Sequence, residues 1–351
     1  MSEKPIHIPV LLSETIESLD IKPDGIYVDC TTGFAGHSSE IAKRLTTGRL
    51  IGFDRDPDAV KAAEEKLKDY PHTLINRKFS TFDESLDEIG VGKVDGVLMD
   101  LGVSSYQLDT AERGFSYHED APLDMRMSKS GLSAYDVVNE YSKEQLEKIL
   151  FEYGEEKFAH GIVSGILKAR ETAPIKTTLE LAEIVKRNVP LKVRKEKNPC
   201  KKTFQAIRIE VNGELDELKK GMSEAFERLS QGGRLAIITF HSIEDRIVKN
   251  TFREYCTGCT CPPDFPVCVC GKKPRGRTVY RGGIIMTTPH NRTSTAYDMS
   301  LFDTSKRKEQ QTPEKKPELK VATSSVAKSG RPVAVAVIGA VFLAVFVMFL
   351  Y

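Results

Sequence analysis

The chain has 351 residues, 40% of them hydrophobic and 29% charged, enough for one large core or two smaller ones. Its formal net charge of +1 excludes a uniformly basic surface, so any footprint for nucleic acid has to come from local clustering. The opening Met1-Ser2-Glu3-Lys4 shows no basic leader followed by an apolar run, which argues against a secretory signal and predicts a cytoplasmic body with reduced cysteines.

From Ile26 onward short apolar segments alternate with helical ones, the pattern of a parallel sheet wrapped by helices. Strands are expected at 26–30, 49–54, 73–79, 94–101 and 234–240. The first runs into Asp29-Cys30-Thr31-Thr32-Gly33-Phe34-Ala35-Gly36-His37, where small residues let a cofactor approach the backbone and the following helix N-terminus. A purely structural tight turn reads the same way. The second ends at Asp54 in Gly52-Phe53-Asp54-Arg55-Asp56-Pro57, where a carboxylate can accept the hydroxyls of a ribose. NAD and S-adenosylmethionine both carry that ribose, and charge separates them. Asp29, Asp54 and Asp100 all fall at carboxyl ends of expected strands; three carboxylates repel a pyrophosphate but suit a sulfonium and an ammonium group. The turn also lacks a full Gly-x-Gly-x-x-Gly, which disfavours a nicotinamide dehydrogenase.

The fourth strand leads into Asp100-Leu101-Gly102-Val103-Ser104-Ser105-Tyr106-Gln107, a carboxylate, two hydroxyls and an amide beside the expected methyl group. An exocyclic base amine is a poor nucleophile because its lone pair is delocalised, so a site for it has to orient it and accept its hydrogen bonds. Asp100 is the candidate for that role, with Ser104 beside it; an Asp that only caps the next turn is the structural alternative.

Some one hundred residues then precede the next core helix, too many for a loop, and predict an inserted helical domain over 106–202 between core segments 1–105 and 203–303. Ser142 with Gln145 and Thr177 with Glu180 have capping-box spacing, and Phe158, Ile162, Val163, Ile166 and Leu167 repeat at helical intervals. Lys186, Arg187, Lys192, Arg194, Lys195, Lys197, Lys201 and Lys202 place eight positive charges in seventeen residues against Glu196, a candidate phosphate-binding run, though a solvated charged face has the same composition. The core is expected to resume with a helix over 204–229, ending at Gly232-Gly233. After the fifth strand, His241 is a candidate for shaping the acceptor pocket, and Ser242 with Asp245 has capping-box spacing.

Cys256, Cys259, Cys261, Cys268 and Cys270 gather five thiols in fifteen residues. Their spacing is not a pair of Cys-x-x-Cys knuckles, so no metal is expected, with a structural zinc as the alternative. Residues 304–331 are too polar to bury themselves and read as a disordered linker. The uncharged stretch 332–351, at about 1.5 Å per residue, is long enough for a helix that crosses a bilayer core of about 30 Å, and Lys328 and Arg331 before it keep the body on the cytoplasmic side of such a tether.

With these residues in place, the chain resembles the bacterial small-subunit rRNA cytosine methyltransferase H family, also called MraW. The resemblance rests on His7-x-Pro9-Val10-Leu11-Leu12, the 33–38 turn, Asp54-Arg55-Asp56-Pro57, Asp100-Leu101-Gly102-Val103-Ser104-Ser105, Arg113-Gly114-Phe115-Ser116, Pro122-Leu123-Asp124-Met125-Arg126-Met127, Tyr153-Gly154-Glu155-Glu156, Thr203-Phe204-Gln205-Ala206-x-Arg208-Ile209 and Phe240-His241-Ser242-x-Glu244-Asp245-Arg246. It covers residues 5 to about 275. It implies an α/β, Rossmann-like class I S-adenosylmethionine-dependent methyltransferase with an inserted all-helical domain, acting on N4 of a cytidine in the decoding region of 16S rRNA. The family's donor contacts fall on Ala35, Gly36, His37, Asp54, Phe79, Asp100 and Gln107, and Lys192, Arg194, Lys195, Lys197, Lys201 and Lys202 are the expected RNA contacts. Ala35 and Ala121 stand where the family usually has glycine, and Lys202 where arginine is common. Alanine in the turn costs little at negative φ and more at positive φ. The alternative reading is a catalytically weakened, membrane-tethered paralogue that binds RNA or donor.

Overall fold

The computed structural model describes residues 9–196, 198–262 and 267–279, and the backbone of 344–350. In chain order the first core segment holds α1 (Leu12–Leu19), β1 (Ile26–Asp29), α2 (Gly36–Ala42), β2 (Arg49–Phe53), α3 (Pro57–Leu67), β3 (His72–Ile75), α4 (Phe82–Glu88), β4 (Val94–Asp100) and α5 (Ser105–Asp109). Then come helices α6 (Ala134–Glu140), α7 (Lys143–Glu152), α8 (Ala159–Arg170), α9 (Thr178–Arg187), α10 (Leu191–Glu196), α11 (Cys200–Asn212) and α12 (Glu214–Arg228). The chain returns through β5 (Leu229–Thr239), α13 (Ser242–Cys256), β6 (Gly276–Thr278) and β7 (Ala344–Leu350).

The strands form one sheet in the order β3-β2-β1-β4-β5-β7-β6. The first five are parallel, while β7 pairs antiparallel with β5 and β6. Alternation along each strand feeds two cores. Val28, Ile51, Val97, Met99, Leu235 and Ile237 face one layer with Met222, Phe226 and Val248 from α12 and α13. Tyr27, Leu50, Leu98, Ala236 and Ile238 face the other with Ile16, Leu19 and Ile41 from α1 and α2. A parallel sheet covered on both faces has its open rim only at the strand ends, and that is where ligands bind such folds.

The helical region has its own core, with Val137, Leu146, Ile149, Ile162, Val163, Ile166, Leu181 and Val185 fully or nearly fully buried. The expected caps form: Ser142 Oγ accepts from the Gln145 N–H at 3.3 Å and Thr177 Oγ1 from the Glu180 N–H at 3.3 Å. Phe204, Ala206 and Ile207 of α11 join this helical core, so packing changes over along α11 itself. The single helix expected over 204–229 is instead two, because Gly213 takes φ +63 and separates α11 from α12. Gly232 and Gly233 lie inside β5 rather than at a helix end.

The C-terminal reading is corrected at seven positions. Residues 344–350 form strand β7, in register with Arg234 to Thr239, not part of a membrane-spanning helix. The backbone of β7 pairs with β5 on one side and β6 on the other, and a continuous apolar run suits a strand in a sheet interior as well as it suits a membrane helix. Among the described residues no helix is long and apolar enough to cross a membrane. The linker 304–331 and the remainder of 332–351 lie outside the described residues.

Candidate active site

Asp29, Asp54, Asp100 and His241 stand at or just beyond the carboxyl ends of β1, β2, β4 and β5. Asp29 is buried and spent on the turn: Oδ2 accepts from Ser38 Oγ at 2.6 Å and Oδ1 from the Thr31 N–H at 3.1 Å. Burial raises its pKa against those bonds and the neighbouring His37. Asp54 accepts from the Gly33 N–H (Oδ2, 2.8 Å) and the Asp56 N–H (Oδ1, 2.8 Å). Burial pushes its carboxyl up to about 6 despite these two bonds. Each Asp54 oxygen keeps a second lone pair for a ligand hydroxyl.

Gly33 has φ +51, and a Cβ built there meets only Thr31 O at 3.8 Å, so the space above the turn is open. Ala35 caps α2 at φ +54, the costlier of the two conformations. That costs about 1 kcal/mol relative to glycine, and its fully buried methyl returns about 0.8 kcal/mol. The turn is therefore about as stable with alanine. Gly36 starts α2 beneath Pro9, whose Cγ lies 2.5 Å from where a Cβ would sit.

His37 joins the opening segment to Asp100. Its Nε2 is 3.0 Å from Val10 O, and Nδ1 is 3.4 Å from Asp100 Oδ2. A bond to a carbonyl requires the proton on Nε2, leaving Nδ1 as an acceptor. Burial lowers the His37 pKa, which keeps the ring neutral. Asp100 goes the other way: burial first, then repulsion from Asp29 and Glu244, pushes it up to about 8. Its Oδ1 is buried with no hydrogen-bond partner among the described residues. Such an oxygen is costly unless something accepts or supplies a hydrogen bond there.

Several expected residues do other work. Ser104 caps α5, accepting from the Gln107 N–H at 3.2 Å, while Gln107 Oε1 accepts from the Ser104 N–H at 3.1 Å. Gln107 Nε2 donates to Asp56 Oδ2 at 2.9 Å, so this buried amide ties α5 to the end of β2. Phe79 is buried in a 3-10 turn at 79–81, its ring against Gly221 of α12 and its N–H on Glu217 Oε1 at 2.9 Å. His241 is the cap of α13, with its Nδ1 3.4 Å from the Glu244 N–H and Nε2 3.1 Å from Glu244 Oε1. The capping box thus falls one residue earlier than the expected Ser242–Asp245 pair. Ser242 Oγ instead donates to Glu155 Oε2 at 2.8 Å, and Arg246 Nη1 donates to Glu155 Oε1 at 3.0 Å.

One residue of the basic run, Lys202, meets this end of the site. Lys202 Nζ donates to Glu155 O at 2.7 Å, and Arg194 is held on the carbonyls of Val189 and Arg187 at 2.9 and 3.1 Å. Lys192, Lys195 and Lys201 are exposed, and Lys197 lies outside the described residues. Cys259, Cys261, Cys268 and Cys270 converge on one another, whereas Cys256 ends α13 half-buried against Thr278 of β6.

Two features were missed in the sequence. Phe34 and Tyr106, 37% and 40% exposed, pack with ring centroids 4.9 Å apart beside the β1 and β4 ends. Each sits inside a motif whose small and polar neighbours drew the attention. Buried Arg113 donates to Asp56 Oδ2 at 2.8 Å and to the carbonyls of Arg126 and Met127 at 2.9 Å each, tying the 122–127 loop to the β2 end.

This sheet, with its inserted helices and carboxylate rim, defines a Rossmann-like class I methyltransferase. The MraW methylase family matches residues 4–300, and the chain belongs to that family. It is 57% identical over 272 residues to a protein of Clostridium botulinum (strain Kyoto / Type A2) named ribosomal RNA small subunit methyltransferase H, covering 77% of this chain and 88% of that one. A Lachnospira eligens protein of the same name is 55% identical over 284 residues, 80% and 90% of the two chains. An rRNA methylase structure from Streptococcus thermophilus aligns at 12% identity over 72% of this chain and 80% of that one, with a TM-score of 0.32, too low to add to the argument. The cofactor is S-adenosylmethionine, and the residues fit it: each Asp54 oxygen keeps a lone pair for the donor's ribose hydroxyls, and the unpartnered Asp100 Oδ1 and the unobstructed approach over Gly33 lie at the same rim.

Proposed function

We propose that the protein methylates N4 of a cytidine in the decoding region of the small-subunit rRNA. A ribosomal substrate puts its work in the cytoplasm. The names of the relatives support the ribosomal substrate, and the observation that carries the amine is Asp100, a buried carboxyl with an unpartnered Oδ1 at the β4 end. S-adenosylmethionine, when bound, supplies an electrophilic methyl group on its sulfonium. Asp100 Oδ1 accepts a hydrogen bond from the target amine and holds its remaining lone pair in line. Ionised Asp100 would take the proton that the amine loses on methylation. His37, fixed by Val10 O, accepts the hydrogen bond of the protonated carboxyl at Oδ2 and so holds Asp100 in place before it ionises. Phe34 and Tyr106 offer an exposed aromatic face on which an extruded base stacks, and Lys192, Lys195 and Lys201 meet the phosphates.

The sign of the pH dependence follows. Below about 8 Asp100 holds its own proton and has no room for another, so kcat/KM rises about tenfold per pH unit and levels above about 8. Asp100→Asn keeps an acceptor oxygen but no base. It is expected to lower kcat about 10²–10³-fold and to flatten the profile. A variant with near-normal kcat and the same profile removes Asp100 from the chemistry.

A further inference from the structure

Helix α13 ends at Cys256, and the chain travels to Gly276 before it rejoins the sheet as β6. The base of this excursion is clasped. The Arg275 N–H donates to Tyr255 O at 2.8 Å, and its guanidinium lies 4.7 Å from the Phe226 ring centroid and 5.4 Å from that of Tyr255, with Glu227 as its ion-pair partner. The far end has no such support. Val267 and Val269 are 70% and 74% exposed, so among the described residues no apolar core holds it. What converges there is sulfur: Cys259, Cys261, Cys268 and Cys270 bring all four Sγ atoms within 4.8 Å of one another.

We propose that Cys259, Cys261, Cys268 and Cys270 form a closed structural site for one zinc ion. Three observations carry it. Cys270 Sγ lies 3.6 Å from both Cys259 Sγ and Cys268 Sγ; tetrahedral zinc with Zn–S bonds of about 2.3 Å places its sulfurs about 3.8 Å apart. A cluster of several irons spreads its thiolates over different metal atoms and so farther apart. A backbone donor already aims at the sulfurs, the Cys261 N–H at Cys259 Sγ (3.4 Å), and Gly271, at φ +61, turns the chain back immediately after Cys270. Such donors stabilise thiolates as metal ligands. Finally, four thiolates on one divalent ion carry two net negative charges, and Lys272 and Lys273 follow directly in sequence. The zinc replaces the missing core of the excursion and fixes the path from α13 to β6. Cys256, engaged with Thr278, stands outside the set. The site is independent of the methyl-transfer reading.

The test is metal analysis of the full chain purified under reducing, chelator-free conditions, by mass spectrometry of the metal content. About one zinc per chain is expected in the wild type and in Cys256→Ser, and less than about a fifth of that in Cys259→Ser/Cys270→Ser. Circular dichroism checks that each variant folds, which exposed serines at the tip should allow. Cobalt added to the metal-free chain should give the visible absorption of tetrahedral thiolate coordination and lose it in the double variant. Zinc no higher in the wild type than in the double variant, iron in its place, or disulfides among the four cysteines in the freshly isolated reduced protein would each overturn the proposal.

Discussion

Asp100 is pushed up to about 8 because burial and two neighbouring carboxylates oppose its charge, and neutral His37, with an acceptor Nδ1 3.4 Å from Oδ2, does not compensate it. Its place at the end of the fourth strand was readable from the sequence; the unpartnered Oδ1 was not, since that depends on which side chains crowd the carboxyl. The same limit explains Gln107, whose bond to Asp56 has no spacing signal, and the cap of α13, where His241 and Glu244 prevail over an equally well-spaced Ser242 and Asp245. Tyr106 was passed over because a single aromatic in a helix as short as α5 carries no spacing signal. Its exposed ring beside Phe34 gives a test of the stacking role: Tyr106→Ala should raise KM for the ribosomal substrate about 10–100-fold, in line with about 1–3 kcal/mol per stacked base, with little change in kcat. Steady-state kinetics on small subunits read this directly, and an unchanged KM removes the aromatic pair from base recognition.

At the scale of elements, sequence periodicity located the first, second and fourth strands to within a residue or so because each feeds two cores in strict alternation. It failed where two structures share one pattern. The amphipathic run after residue 200 continues through Gly213 without a break in hydrophobic spacing, yet the backbone there is left-handed and two helices result. The apolar C-terminal run reads as a spanning helix when its partners are unknown, but its last turns belong to the sheet. Loops are the least legible elements and carry much of the construction. Gly114 follows Arg113 at φ +69, and a Cβ there would fall 2.3 Å from Pro122 O and 2.9 Å from Asp124 N. Backbone cannot yield as a flexible side chain does, so Gly114→Ala should cost at least about 2 kcal/mol. Chemical denaturation measures this, and a loss under about 0.5 kcal/mol would show that the loop does not hold the site's frame.

The whole molecule sets the helical core beside the two cores of the sheet. Lys202, whose bond to Glu155 O meets the Ser242 and Arg246 bonds to the Glu155 side chain, stands with them just beyond the end of β5. The near-neutral total charge hid that placement. Replacing Lys192, Lys195 and Lys201 together by alanine should reduce the slope of log affinity against log salt by about 2–3 while leaving donor binding intact; an unchanged slope would mean that the run faces solvent only. The central claim concerns the product. Labelled S-adenosylmethionine is incubated with the full chain and small subunits that lack the modification, and the RNA is digested to nucleosides for mass spectrometry. Label recovered as N4-methylcytidine from the decoding region is the predicted result, whereas label on another nucleoside, or no transfer by a folded chain that binds the donor, contradicts it.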